Sequence, residues 1–356
     1  MTDIAPLERA ALLPGIGSRI VRNINGLDIH LLEAGYGSPS RPLVLLLHGF
    51  PEIAYFWRKV MLPLAAAGFH VVAPDQRGYG RTTGWDSDYD GDLASFRILN
   101  AVREAFGLVS ALGYHGVAVV AGHDFGASVA AWCSLVRPDV FHSVALMSAP
   151  FAGPPPLPFD AANNPPQQID SALSIHQELA RLDRLRKHYQ RYYSTRQANA
   201  EMRDCPQGVH AFLRGYFHYK SADWTDNKPF PLRSWTADEL AKMPTYYIME
   251  LKKNGLKPWL PKCRQLPKSP PAGGCRKTSL RCTAPSTSGL GFRVDCNGTG
   301  AGRRADTTAN CSCSPAGPLT CPRCSLPETA IGGLSNVPAI SSGCKRAHAR
   351  GCRVAI

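Results

Sequence analysis

Val117-Ala118-Val119-Val120 is an apolar run that leads straight into Gly122-His123-Asp124-Phe125-Gly126, and a helix-like stretch over residues 127–135 follows. A strand that becomes a helix within so few residues must bend sharply. The two flanking glycines suit backbone that passes close to its neighbours. Such a bend belongs at the C-terminal end of a buried strand, and it pushes its central side chain, here Asp124, out above the sheet.

The surrounding segments have the matching pattern. Residues 27–33 alternate like an exposed-edge strand, and residues 42–47 form a continuous apolar run, as in a strand buried on both faces. A helix is predicted over 54–67, closed by Gly68, and a strand over 69–73. Leu93, Phe96, Leu99, Val102, Phe106 and Val109 have helical spacing within 92–112, and the pattern stops at Gly113. Further strands are predicted over 117–121 and 141–147. Strands alternating with helices argue for an α/β fold with a mostly parallel sheet and right-handed crossovers. Residues 1–150 are its N-terminal part.

At Ser148 the pattern changes. Gly153-Pro154-Pro155-Pro156 and Asn163-Asn164-Pro165-Pro166 read as a linker. From 168 to 242 the segments read helical, with tyrosines and histidines interleaved. Residues 151–252 are therefore expected to form an incomplete helical cap over the strand ends, where open α/β sheets bind ligands.

The formal net charge of +13 suggests nucleic acid or a membrane until it is located. Residues 1–252 hold 24 Lys+Arg and 24 Asp+Glu. Residues 253–356 hold 16 Lys+Arg against Asp295, Asp306 and Glu328, together with ten of the 12 cysteines, and Trp259 and Phe292 are their only aromatics. That tail, rich in Ser, Pro, Gly, Arg and Cys, cannot bury enough apolar area to offset its ordering entropy and is expected to be disordered. It carries no interleaved aromatics on which bases could stack, which argues against nucleic acid. Cys311-Ser312-Cys313 and Cys321-Pro322-Arg323-Cys324 hint at zinc, but no second pair is suitably spaced. No apolar run is long enough to span a membrane, and the N-terminus lacks the pattern of a secretory signal. With so few cysteines, the first 252 residues read as a cytoplasmic protein. No metal or cofactor is expected.

A carboxylate exposed at such a bend can attack saturated carbon and leave an ester on the protein. This narrows the chemistry to opening an epoxide or displacing a halide. Two further motifs sit at strand ends. His48-Gly49-Phe50-Pro51-Glu52 follows the 42–47 run, and its Phe50 N–H, with that of Phe125, is the candidate pair of backbone donors to a developing oxyanion. Asp75-Gln76-Arg77-Gly78-Tyr79-Gly80 follows the 69–73 strand and reads as a structural turn.

Over roughly residues 20–252 these three motifs, in this order, resemble the epoxide-hydrolase branch of the α/β-hydrolase superfamily. The resemblance implies that Asp124 is the nucleophile for a small apolar epoxide, with His48, Gly49, Pro51, Gly122, His123 and Gly126 as supporting motif positions. It also implies two cap tyrosines that hydrogen-bond the ring oxygen. Tyr189, in Lys187-His188-Tyr189-Gln190-Arg191-Tyr192-Tyr193, matches the first; Tyr192, Tyr193, Tyr216 and Tyr219 are further candidates. Relatives often carry tryptophan after the nucleophile, where this chain has Phe125. A downstream acid and histidine should complete the machinery. Beyond residue 252 the only histidine is His348, and neither it nor Asp295 or Asp306 follows a strand-like run.

The tail reads differently when the last base of each codon is joined to the first two of the next. Asp295-Cys296 then forces leucine, and residues 291–299 permit GFQGGLQWY. Residues 323–333 permit VFIAGNSDWG, a strand followed by an acid-bearing turn, and Cys282-Thr283 permits the missing cap tyrosine. Agreement over consecutive positions, in family order, makes an out-of-frame translation from about residue 252 the expectation. The last strands of the sheet would then be missing and the chain inactive. A dehalogenase with the same aspartate, or a non-catalytic remnant, are the alternatives.

Overall fold

In the computed structural model, residues 6–8, 11–37, 40–149, 151, 153, 171–221, 224, 227–228, 230–251 and 353–355 are described. The motif residues of the tail, His348 and the cysteine pairs included, lie outside them, as do most of the linker and the acids Asp295 and Asp306.

Seven strands form one sheet: β1 (Ile16–Ile24), β2 (Leu27–Ala34), β3 (Leu43–Leu47), β4 (His70–Pro74), β5 (Val119–His123), β6 (Ser143–Met147) and β9 (Arg353–Ala355), in the order β1-β2-β4-β3-β5-β6-β9. β1 and β2 run antiparallel to each other, as do β2 and β4, while β4, β3, β5, β6 and β9 are parallel. Every residue of β3 and β4 is buried, as the continuous apolar runs require. The helices are α1 (Arg58–Ala66), α2 (Ile98–Ala111) and α3 (Phe125–Val136) in the first half, then α4 (Ser171–Arg181), α5 (Tyr189–Tyr193), α6 (Arg196–Arg203), α7 (Val209–Lys220) and α8 (Ala237–Leu240). Strands β7 (Arg186–His188) and β8 (Ile248–Glu250) pair antiparallel within the helical region.

Four expectations need correcting. Residues 27–33 are not an edge, because β1 covers them, and β2 is buried at seven of its eight positions. The predicted helix over 54–67 opens instead with a 3₁₀ turn, Ala54–Trp57, before α1. The helix over 92–112 is split at Arg97, which is extended (φ −65°, ψ 147°) between a 3₁₀ turn, Leu93–Phe96, and α2. Within α2 the buried face is centred on Ile98, Val102, Ala105, Leu108 and Val109, and Leu99 lies to one side of it, exposed. Finally, the edge beyond β6 is not bare. Val354 lies opposite Val144, and Ala355 opposite Ala145.

The helical region has its own core, in which Leu179, Tyr192, Phe212, Leu213 and Leu240 are among the buried residues. It meets the sheet at the C-terminal ends of the strands. Phe50, just after β3, packs its ring 5.1 Å from Tyr193, and Tyr89 donates a hydrogen bond to the Ser194 carbonyl at 2.9 Å. Arg196 pairs with Asp90 beside it. No described helix is long and apolar enough to cross a membrane.

Candidate active site

β5 ends at His123 and α3 begins at Phe125, so Asp124 takes the whole change of direction on itself. Its backbone lies at φ 54°, ψ −123°, a region L-residues rarely adopt, and such strain collects at functional positions. The turn is so tight that a Cβ on Gly122 would sit 2.0 Å from the Gly126 carbonyl oxygen, and one on Gly126 would sit 2.2 Å from that of Leu47. A Cβ on Gly49 would fall 2.3 Å from that of Asp124 itself. The three glycines let three backbone segments converge around one carboxylate.

Asp124 Oδ1 accepts a hydrogen bond from the Phe50 N–H at 3.1 Å. Phe125 opens α3, so its N–H belongs to the first turn, where the helix offers no backbone acceptor. The loop bearing Phe50 is fixed from below by His48, which is fully buried. His48 Nδ1 donates to the Gly49 carbonyl (3.0 Å) and its Nε2 accepts from the Gln76 N–H (3.1 Å), so one neutral tautomer serves both bonds. Burial lowers the His48 pKa, in keeping with that neutral form. Pro51 follows through a cis peptide bond. Asp75 has the structural place its motif suggested. It accepts from the Ala54 N–H (2.8 Å) and the Arg81 N–H (2.9 Å) and meets His30 Nδ1 at 2.7 Å.

His123 stacks on Phe56 with ring centroids 4.9 Å apart, and its Nδ1 lies 3.8 Å from Glu52 Oε2. That separation is too long for a hydrogen bond, and neither atom has one. Burial alone would lower the His123 pKa. The Glu52 and Asp124 carboxylates outweigh it and hold the imidazole above its ordinary value, with Lys220 opposing them.

Facing the turn is a roof of aromatic rings from the helical region. Tyr189 packs against Tyr193 (5.5 Å) and Tyr247 (5.4 Å), and Phe50 meets Tyr216 edge-on at 6.5 Å. Two of the candidate tyrosines are engaged elsewhere. The Tyr192 hydroxyl donates to Glu201 at 2.6 Å, and that of Tyr219 bonds Thr245 at 3.3 Å. Lys220, which sequence reasoning missed, sits among these rings. Its signal was present: Tyr216 and Lys220 are four residues apart on α7 and share a helix face. A small crevice lined by Leu47, Gln76, Arg77, Phe96, Glu104 and Phe125 opens toward α2, but Asp124 does not line it.

His188, at the start of α5, presents Tyr189 to this roof. It is buried, and its Nδ1 accepts from the Gln190 N–H at 3.4 Å, capping the short helix. Burial, aided by His176, pushes its pKa down to about 3. The unfolded chain takes up a proton near the ordinary histidine value of about 6.5, so the stability that neutral His188 contributes is present above that pH and lost as pH falls toward 3. Between pH 7 and 5 the loss is about 2 kcal/mol. The thermal midpoint of a His188→Gln variant should therefore fall less than that of the parent between these pH values. Equal falls would contradict the burial argument.

Comparison with known proteins fits this geometry. Residues 42–262 match the family model described as alpha/beta hydrolase fold. An epoxide hydrolase of Caballeronia sordidicola is 41% identical over 127 residues, 36% of each protein. Epoxide hydrolase 3 of Siraitia grosvenorii is 39% identical over 132 residues, 37% of this chain and 39% of that one. The chain thus spans little more than a third of the length of these curated relatives. Among solved structures, an epoxide hydrolase from an endophytic Streptomyces superposes with a TM-score of 0.58 and 27% identity, covering 81% of this chain and 72% of that one. Epoxide hydrolase I of potato (Solanum tuberosum) gives 0.53 and 27%, covering 80% and 73%.

Proposed function

Because this chain belongs to the alpha/beta hydrolase fold family, we propose that its chemistry is attack of the Asp124 carboxylate on an epoxide carbon. The reaction gives an ester that, in a complete enzyme, water would cleave to a diol. The observation that carries this reading is the carboxylate on the strained strand-to-helix turn, with its Oδ1 already held by the Phe50 N–H. That bond orients one oxygen and leaves the other to approach carbon. When the ester's carbonyl is later attacked, the same N–H, with that of Phe125, faces the developing oxyanion. The names of the similar proteins favour epoxide over halide. The tyrosine roof supports the same choice, because a departing alkoxide needs hydrogen-bond donors and a departing halide needs no proton.

A base that could activate water for the second half-reaction is not in evidence at Asp124 among the described residues. His123 is the histidine beside it, and Glu52 and Asp124 hold it toward its protonated form, which is a poor base. The shift in composition near residue 252 falls close to the end of the family match at 262. Residues from about 252 onward are accordingly proposed to be an out-of-frame translation of a segment that once carried the acid. Loss of a general base costs about 10²–10⁴ in rate. With excess epoxide the chain should accumulate up to one equivalent of ester and release no diol, read by intact-protein mass and by diol assay. Sustained diol release would contradict the incompleteness. Genomic sequence across codons 248–260 tests the frame: stop codons in the alternative frame would dispose of it.

A further inference from the structure

The roof over Asp124 contains one cation whose surroundings are unusual for lysine. Lys220 Nζ donates a hydrogen bond to the Tyr216 hydroxyl oxygen at 3.0 Å. It also lies 4.8 Å from the ring centroids of Tyr216 and of Tyr247, and 5.5 Å from that of Tyr246. An ammonium is strongly hydrated, so holding it against three aromatic faces needs the attraction of those faces and of the phenol oxygen to replace its water. A lysine required only for solubility would extend into solvent instead.

The place of the pair matters as much as its chemistry. Tyr216 is buried and meets the ring of Phe50, the residue whose N–H holds Asp124. Lys220 is close enough to the turn for its charge to act on His123, next to Asp124. The ammonium occupies a lone pair of the Tyr216 oxygen and thereby leaves the phenol's own O–H to donate elsewhere. A donor that is itself an acceptor from a cation is polarised and makes a stronger bond to the next oxygen.

We infer that Lys220 is a positioning residue for ring opening: by holding the Tyr216 oxygen it fixes the phenol as a proton donor to the departing epoxide oxygen. The step, which rests on the epoxide reading above, balances as follows. A lone pair of Asp124 forms the new O–C bond, the epoxide C–O bond breaks, and its electron pair goes to the ring oxygen. That oxygen takes the proton of the Tyr216 hydroxyl, and the resulting phenolate is neutralised by the Lys220 ammonium.

The test compares two alkylating reagents on the full chain, 1,2-epoxyhexane and 1-iodohexane, with ester formation on Asp124 followed by mass spectrometry. Both consume the same carboxylate, but iodide leaves without a proton. Lys220→Met should slow the epoxide reaction by about 10²-fold, the usual worth of a positioned acid, and leave the iodide reaction unchanged. Lys220→Arg should restore most of the epoxide rate. Tyr216→Phe should match Lys220→Met, and the double variant should lose no more, since the two act as a unit. Equal slowing with both reagents would reduce Lys220 to a packing role, and an unchanged epoxide rate would overturn the inference directly. If the parent chain forms an ester from the iodide and none from the epoxide, the epoxide reading itself fails, and the inference with it.

Discussion

Exchanging Asp124 for asparagine leaves no ester on the chain after treatment with an epoxide. The substitution is almost isosteric and keeps an oxygen to accept the Phe50 N–H, so the turn and the 3.1 Å bond can persist. What disappears is the anion. A neutral carboxamide is a feeble nucleophile toward saturated carbon, and loss of a nucleophile in a comparable machine costs on the order of 10⁶ in rate. The expected result is an unmodified intact mass under conditions that fully label the parent, with an unchanged thermal midpoint. Labelling of the asparagine variant at the parent's rate would place the nucleophile elsewhere.

Alanine at Gly126 carries the largest expected effect on stability. Its Cβ would meet the Leu47 carbonyl oxygen at 2.2 Å and that of His48 at 2.6 Å, both of them backbone atoms at the C-terminal end of the central strand β3. Neither can rotate away. α3 must therefore lift from β3, and Asp124 moves with it. Overpacking of this kind costs about 3 kcal/mol or more, which corresponds to a fall of about 10 °C in the thermal midpoint of a domain this size. Gly107→Ala is the matched control. Gly107 lies within α2, and the nearest atom to its added Cβ is a side-chain methyl of Ile24 at 3.1 Å. There the helix preference for alanine, up to about 1 kcal/mol, offsets a small repacking. Equal falls for the two variants would mean that the close convergence at Gly126 is not real.

How much of this was visible in the chain depended on how strongly burial writes itself into sequence. β3, β4 and β5 are buried on both faces, and their unbroken apolar runs announced them. The turn at Asp124 was equally plain, because only glycine fits at 122 and 126. β1 was missed. As an edge strand, Ile16–Ile24 is fully buried only at its two ends and shows no period of two. β7 and β8 have three residues each, too few for any periodicity. Leu99 was assigned to the wrong face because Ile98, Ala105 and Leu108, outside the predicted stripe, centre the buried face of α2 to one side of it. Lys220 was overlooked for a different reason. A lysine near a helix C-terminus is ordinarily a solvated complement to the helix dipole, and only the folded arrangement brings Tyr246 and Tyr247, 26 and 27 residues later, around it.

The account stands on the carboxylate at the bend being the atom that bonds to carbon. Treating the full chain with a terminal epoxide, digesting it and locating the added mass by peptide sequencing tests this most directly. The predicted result is one added epoxide mass, on the peptide containing Gly122-His123-Asp124-Phe125-Gly126 and assigned to Asp124. An unmodified Asp124, with the adduct on another side chain or on none, would contradict it.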